Sequence, residues 1–600
     1  MRKPAAFQSH LPLSSRYRFS HSPLACNPKV PAHLPSPPFY LAPLNAATTP
    51  QPQPITPRRN SNRQPTTRHV DVAIIGSGMG ALTAAAELVA TGATVAVLEK
   101  YLIPGGSAGS FKRPGYVFDV GASMIFGFGS QGTTNLLTKA LKKVGRQLET
   151  IPDPVQVRYH LPEGLDVRVY REYERFLEEL GSKFPHEREG IRRFYDACWS
   201  VFGSLNAMPL RSLEEPRYLL EVFAAHPVAC LNLLRFIARN AGDVARQYIR
   251  DERVIRFIDM ECFTFSVATA DLSPMINAGM VFCDRHYGGV RYPKGGVGRI
   301  AEELVKGIEE REGSWVQFGA RVTEVVFDEE GRACGVKLAT GDVIRAKAVI
   351  SNATRWDTFG DKGLVRGARV PQAEWKFRER YVKSPSFCSA HIAVRERDLQ
   401  VEMTEAGGMD CHHIVLEDWD KFETARNGDG TLFVSIPTIL DKSIAPEGMH
   451  ILHVFTPSWM DEWSGLPPDE YAAKKAASLS KMVRRIETAF CGGLSKAIEF
   501  AEVGTPRTHR RFLGRSDGSY GPMARKRLSG LLSMPFNRTE VQGLYCVGDS
   551  TFPGQGLNAT AFSGVSCGHR VAADLGLARR LPRRVDQFVS GLLGKTRLEL

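Results

Sequence analysis

The sequence predicts an α/β protein: a Rossmann-type dinucleotide-binding domain of parallel sheet plus β-meander, with an inserted mixed α+β domain and a helix-rich segment. Three observations predict it. Residues 70–75 form a mostly apolar run of strand length that passes through a glycine turn into a helix-like stretch, 82–89. Residues 316–350 alternate strand-like runs with turns at Asp328-Glu329-Glu330-Gly331 and Thr340-Gly341-Asp342. A last short strand, 543–547, precedes a helix over about 558–574, so the chain returns to its first domain.

With 600 residues, 43% hydrophobic and 24% charged, the chain has room for two or three domains with their own cores. Its formal charge of +13 suggests a nucleic-acid surface until the charges are located. Residues 1–70 hold nine Lys or Arg and no acid, Asp71 being the first, and the remainder carries 68 basic against 64 acidic residues. A basic patch for nucleic acid thereby loses its support, and no nucleic-acid partner is expected. The leader, 1–66, is rich in Pro, Ser, Thr and Gln and lacks the apolar run of a signal peptide. It reads as a disordered, cleaved organelle transit peptide, with an ordinary disordered tail as the alternative.

Residues 67–155 are the first part of the dinucleotide-binding domain. The strand 70–75, the helix closed by Gly92 and the strand 94–98 make a βαβ unit. Gly76-Ser77-Gly78-Met79-Gly80-Ala81 has the form G-x-G-x-x-[G/A]. Gly76 permits the tight turn, Gly78 leaves room for a pyrophosphate, and Ala81 lets helix and strand pack closely. The helix N-terminus offers free N–H groups and partial positive charge to phosphates. Glu99, 23 residues after Gly76, ends the next strand, where a carboxylate can take the adenosine ribose hydroxyls. Lys100 beside it and Val322 further on complete the candidate contacts at this end.

Residues 156–275 read as helix-rich, with 172–180 and 219–246 as examples. The stretch 219–238 is largely apolar but interrupted by Glu221, His226, Pro227 and Arg235, which leaves a membrane-dipping segment and a core helix pair both open. No bilayer-spanning helix is expected, because every charge-free run is broken by Gly, Pro, Ser and Thr. Residues 276–360 form the second part of the first domain. Residues 361–535 form a mixed substrate domain with strands 432–436 and 450–455 and a helix 468–490. Residues 536–578 form the third part, and 579–600 a basic tail. The eleven cysteines are scattered, with no Cys-x-x-Cys, and Cys411-His412-His413 is too tightly spaced for zinc, so buried reduced thiols and no metal are expected.

Further motifs narrow the reading. Pro104-Gly105-Gly106-Ser107-Ala108-Gly109-Ser110 and Leu544-Tyr545-Cys546-Val547-Gly548-Asp549 resemble the flavoprotein amine oxidase and phytoene desaturase superfamily, which implies FAD. In that resemblance Gly548 approaches the pyrophosphate and Asp549 accepts a ribityl hydroxyl. Gly554-Gln555-Gly556-Leu557-Asn558-Ala559 opens a helix whose N-terminus can face the flavin pyrimidine edge, where its positive end would stabilise a reduced flavin.

Residues 283–293 with Gly295-Gly296-Val297-Gly298, 350–358, 504–513, Tyr520-Gly521-Pro522-Met523 and Phe552-Pro553-Gly554-Gln555-Gly556 look like those of the plant-type carotenoid isomerases, over about 71–577. This resemblance implies a plastid, membrane-associated enzyme. It would turn poly-cis-lycopene into the all-trans form with reduced FAD and no net redox change, meeting the plastid membrane surface and other carotenoid-pathway enzymes. His286, Tyr287, His509 and Arg510 lie in its motifs and are the catalytic candidates. Against this, His509-Arg510-Arg511 can be a salt-bridged loop, Tyr287 a core aromatic, and Asp284 with Arg285 a structural ion pair. The rival functions are a carotene desaturase of the same fold, a paralogue with a shifted carotenoid substrate, a carotenoid carrier without turnover, and an amine oxidase.

Overall fold

A computed structural model describes residues 65–578, apart from 122, 405–406, 423–425 and 528–533. The leader to residue 64 and the tail 579–600 lie outside the described residues.

The strand Thr67–Ile75 sits at the centre of a seven-stranded sheet. Its apolar half, Val72 to Ile74, is fully buried, as a strand covered on both faces must be. Its polar start is held by parallel pairing of Thr67 to Val70 with Val343 to Ala346, so the strand begins before the apolar run does. The parallel strands follow the order Trp315–Gln317, Val95–Leu98, Thr67–Ile75, Val343–Ser351, Leu544–Cys546.

Val343–Ser351 serves two partners on one edge. Its first residues pair antiparallel with Ala333–Leu338, closing the meander with Val322–Phe327, and its last three pair parallel with Leu544–Cys546. The parallel sheet and the meander that the sequence predicts are therefore joined as one sheet. The helices Met79–Val89, Gly298–Glu309 and Leu557–Asp574 share one core with the inward side chains of this sheet.

A second seven-stranded sheet runs in the order Ile498–Gly504, Ser386–Arg395, Met449–Ser458, Leu432–Ser435, His412–Val415, Val155–Leu161, Leu165–Tyr170. The hairpin 155–170 thus departs from the expected helix-rich segment, whose helices begin only at Tyr173. Its alternation of Val157, Tyr159 and Leu161, then Val167 and Val169, is the period of two that buries one strand face. Along Ser386–Arg395, Cys388, Ala390, Ile392 and Val394 pack under the long helix Pro468–Ala489 with Leu479, Met482 and Ile486. Phe387, Ser389, His391 and Ala393 alternate with them and so occupy the opposite face.

The stretch 219–246, expected as helix-rich with a helix pair over 219–238 as one reading, falls into three helices: Pro216–Ala225, Pro227–Phe236 and Ala241–Tyr248. His226 precedes proline and is disfavoured in the α region, which ends the first helix. Asn240 and Asp243 form a capping box that starts the third. The first two helices bend by 111° at His226. Tyr218 and Val222 face inward, whereas Leu220, Phe223, Leu231 and Leu234 are about half exposed and Val228 is 80% exposed. Among the described residues no single helix is long and apolar enough to cross a membrane, and this bent pair passes the same test only when its halves are taken together. The ten described cysteines are all free, eight of them buried.

Candidate cofactor site

Three glycine segments meet at the strand ends. Gly76 has φ +89°, and the backbone N–H of Gly105 donates to the Ser77 carbonyl at 2.9 Å. A side chain on Gly78 would strike the Asn352 amide at 2.5 Å, and one on Gly80 would come within 3.0 Å of the Gly548 nitrogen. Asn352 is fixed there because its N–H donates to the Ile75 carbonyl at 3.0 Å, directly after the strand Val343–Ser351. A Cβ on Gly106 would lie 3.5 Å from the Gly78 Cα and one on Gly556 would meet nothing within 4 Å, so both border space that no side chain fills. Backbone at φ +58° and +97° in these two positions is where glycine carries no steric penalty. Such a cradle fits the diphosphate of a dinucleotide.

Glu99 stands directly after the strand Val95–Leu98. Its Oε2 accepts from the Ser77 N–H and hydroxyl, both at 2.8 Å, and its Oε1 from the Tyr101 N–H at 2.7 Å. Lys100 turns outward and donates to the Arg511 carbonyl at 2.9 Å. Val322 begins a meander strand, packed in the core that also holds Leu98. Ala81 is fully buried where the first helix leaves the sheet. Ser107 hydrogen-bonds Tyr520, and Asp549 is ion-paired with Arg515.

The closing helix crosses the first one at two glycines. A Cβ on Gly564 would lie 1.8 Å from the Thr83 hydroxyl, and one on Gly568 2.4 Å from Glu87 Cβ. This close approach brings the start of the closing helix to the cradle. There Asn558 donates from Nδ2 to Asp284 Oδ2 at 2.8 Å. Asp284 is completely buried, its Oδ1 has no hydrogen-bond partner, and burial, only partly offset by Asn558, raises its pKa to about 7.

Asp284 and Arg285 are not the ion pair that their adjacency suggests. Arg285 instead reaches Glu261 at 2.6 Å, between the rings of Phe176 and Phe282, because Asp284 and Arg285 follow one another on helical backbone, where successive side chains point about 100° apart. The same stretch continues to Tyr292, whose hydroxyl donates to Asp119 at 2.8 Å. Asp119 also accepts from the Ser110 hydroxyl and the Val297 N–H. Burial pushes its pKa up to about 6 against these bonds.

The four catalytic candidates separate. His286 packs between Tyr173 and Phe176 with Nδ1 on the Arg171 carbonyl at 3.1 Å, and burial, aided by Arg285, holds its pKa near 3. Tyr287 is 38% exposed and leans on Phe202. Arg510 is exposed on the helix Pro506–Leu513, so the alternative of a salt-bridged loop at 509–511 does not hold. His509, on the same helix, is buried: Nδ1 lies 3.1 Å from the Tyr520 hydroxyl and Nε2 3.4 Å from the Ser389 hydroxyl. Burial lowers its pKa to about 3, with His391 and Arg515 adding to the effect.

Tyr520 links the cradle to the second sheet. Its ring meets Phe387 at 4.8 Å, Phe387 meets Phe455 at 4.9 Å, and Phe455 stacks on Phe433 at 4.7 Å. An aromatic face therefore begins where the second glycine loop ends. Beside it His391 and His453 stack at 4.6 Å, both kept neutral by burial. Asp153, Cys411 and His412 bring donor atoms within 4.8 Å of one another nearby, a grouping that the tripeptide spacing conceals because Asp153 comes from another segment. Burial raises the Cys411 thiol pKa well above its ordinary value, so at neutral pH this trio holds a protonated thiol.

Sequence reasoning missed Asn352, Asp119 and the Gly564 crossing. The signal for the last was present, since Gly564 and Gly568 are four apart on one helix face.

A family model, flavin containing amine oxidoreductase, matches residues 82–574. The chain is 54% identical over 525 residues to a chloroplastic prolycopene isomerase of Arabidopsis thaliana, covering 87% of this chain and 86% of that one. It is 52% identical to a chloroplastic prolycopene isomerase of Daucus carota, covering 88% and 84%. Among solved structures it is similar in fold to putrescine oxidase bound to putrescine, with a TM-score of 0.54, 15% identity, and coverage of 85% and 100%.

Proposed function

The chain belongs to the flavin containing amine oxidoreductase family, and on that premise we propose that it isomerises carotenes in the plastid, converting poly-cis-lycopene to the all-trans form in carotenoid biosynthesis. The observation that carries this reading is 54% identity sustained over 525 residues to a relative of that name. A flavin is the cofactor; we assign it as FAD, active in its reduced form. When bound, it supplies the polyene with a proton or an electron and takes it back, so that one double bond loses bond order and rotates without net redox change.

The protein's own residues do the rest. Gly76, Gly78, Gly105, Gly106, Ser107 and Gly548 hold the diphosphate, with Ala81 keeping the helix close. Glu99 serves the adenosine ribose, with Lys100 and Val322 beside it, and Asp549 serves the ribityl chain. The helix start Gly556, Leu557 and Asn558 would offer free N–H groups to the bound flavin, favouring negative charge on it. Asp284 holds a proton at this helix start near neutrality and fixes the Asn558 amide. His509 is the candidate retained at the reacting face, since it meets Tyr520 between cradle and aromatic wall. His286, Tyr287 and Arg510 support the fold in this reading.

A polyene carries no polar handle, so its binding rests on apolar contact, about 25 cal/mol per Å² of buried surface. Phe387, Phe433 and Phe455 offer that contact and exclude water from the reacting bond. Because the substrate partitions into lipid, the enzyme sits on the plastid membrane with Leu220, Phe223, Val228, Leu231 and Leu234 of the bent helix pair in the interface. Contact with other carotenoid-pathway enzymes at that surface is part of the same reading.

The test is anaerobic incubation of the purified chain with tetra-cis-lycopene and chemically reduced FAD, read by chromatography and mass. An all-trans product of unchanged mass is expected. Loss of two hydrogens per step assigns a desaturase instead, and unchanged substrate with flavin bound overturns the reading.

A further inference from the structure

A cleft of about 500 Å³ lies apart from the cradle, between the closing helix, the helix Leu136–Lys143 and the first half of the bent helix pair. Its lining on the closing helix is Val565, Gly568, His569 and Ala572. His569 is about 18 Å along the axis from the helix start at the cradle, at 1.5 Å per residue. The cleft therefore does not belong to the cofactor site.

Its chemistry is mixed in a particular way. Leu136, Leu210 and Tyr218 give apolar wall, and four Lys or Arg line it with three Glu. Each acid already has its own cation: Glu87 pairs with Lys143, Glu221 with Arg217 and Glu215 with Arg570. Two cations remain without a carboxylate in contact among the described residues. Lys139 donates only to the Thr133 carbonyl at 3.1 Å, and Arg211 is exposed at the rim. At the floor, His569 Nδ1 is buried without a hydrogen-bond partner, and burial keeps the ring neutral with a pKa near 4. Two uncommitted cations above apolar walls match an anionic headgroup that carries a hydrocarbon chain.

The position agrees with that chemistry. Arg217, Tyr218 and Glu221 line the cleft from the same helix whose Leu220 and Phe223 are exposed on its other side. With that helix pair in a membrane interface, the cleft stands at headgroup depth.

We propose that this cleft is a binding site for an anionic membrane lipid, with Lys139 and Arg211 on the charged headgroup and the Leu210–Tyr218 wall along its chain. The inference rests on the membrane reading of the bent pair given above. It fixes the depth and tilt at which the enzyme meets the bilayer.

The experiment measures binding of the full chain to vesicles of phosphatidylcholine alone and of phosphatidylcholine mixed with phosphatidylglycerol. The wild type, Lys139→Ala with Arg211→Ala, and Val228→Asp with Leu231→Asp are compared, with thermal melts to confirm folding. Wild type is expected to bind both and to prefer the anionic vesicle by about thirtyfold, each uncommitted cation counting about fivefold. The cation variant is expected to keep binding to neutral vesicles and lose the preference, and the helix variant to lose both. Persistence of the preference in the cation variant, which would assign it to the basic tail, overturns the proposal. So does equal wild-type binding to both vesicles, while leaving the membrane reading standing. Failure of the wild type to bind either vesicle removes the membrane reading itself. Displacement by millimolar inorganic phosphate would assign the cleft to a free anion and overturn the lipid.

Discussion

Asp284 and Asn558 join the end of one helix to the start of another: the Asn558 amide donates to the fully buried Asp284 carboxyl at 2.8 Å. Asp284 ends the helix Met275–Asp284, and Asn558 is the second residue of the helix that begins at the cradle. The carboxyl thereby sets where that helix begins, and its protonation state sets the charge beside it.

In the unfolded chain Asp284 ionises near the ordinary value of about 3.9, and in the folded chain near 7. Between those values the folded protein holds a proton that the unfolded chain has lost, so this group's stabilisation fades as pH rises and is gone above about 7. Asp284→Asn removes the effect. Its melting temperature relative to wild type should rise from pH 5 to pH 8, and an unchanged difference would contradict the buried, protonated carboxyl.

Turnover between pH 6 and 8 should show no imidazole step. Burial holds His509 near 3 and His391 near 4, so both stay neutral across that range. His509→Gln should lower the rate while leaving the shape of the profile intact. An inflection near 7 that vanishes in Asp284→Asn would assign it to the carboxyl.

Gly564→Ala should push the closing helix off the first one, since its new Cβ meets Thr83 and the Gly80 carbonyl at 1.8 and 2.4 Å. Overpacking of this kind costs about 1–3 kcal/mol. The strain falls on the cradle, so flavin retained through gel filtration should drop more than helix content by circular dichroism. Full flavin content in this variant would contradict the crossing.

Arg355 and Glu374 are a fully enclosed ion pair behind the Gly548–Ser550 loop, and Arg355 also donates to the carbonyls of Ser550 at 3.1 Å and Phe536 at 2.7 Å. Arg355→Met leaves Glu374 buried and uncompensated, a loss of about 3–5 kcal/mol. Combining it with Glu374→Met should recover part of that loss in urea unfolding. Additive losses would show that the two residues do not act as a pair.

The parts legible in the sequence are those governed by local rules. The Gly76–Ala81 turn, the helix after it and the strand ending at Leu98 follow from glycine placement and apolar periodicity, and the structure reproduces each within a few residues. The 155–170 hairpin was hidden because it joins strands from far along the chain, and its alternation competes with helix-rich flanks. Asp284 and Arg285, adjacent in sequence, do not pair because successive residues on helical backbone point in different directions. Asn352, Asp119 and the Asp153–Cys411–His412 grouping depend on segments that only tertiary folding brings together.

The strand Thr67–Ile75, at the middle of its sheet, is the first of the described strands to be synthesised, while its neighbour Val343–Ser351 and that strand's partner Leu544–Cys546 come late. Pairing of such high sequence separation is slow to nucleate. A nascent chain on the ribosome therefore carries an incomplete sheet and only two of the three glycine segments. A site built from all three is complete only when the last has been made, and until then the sheet stands with unpaired strand edges.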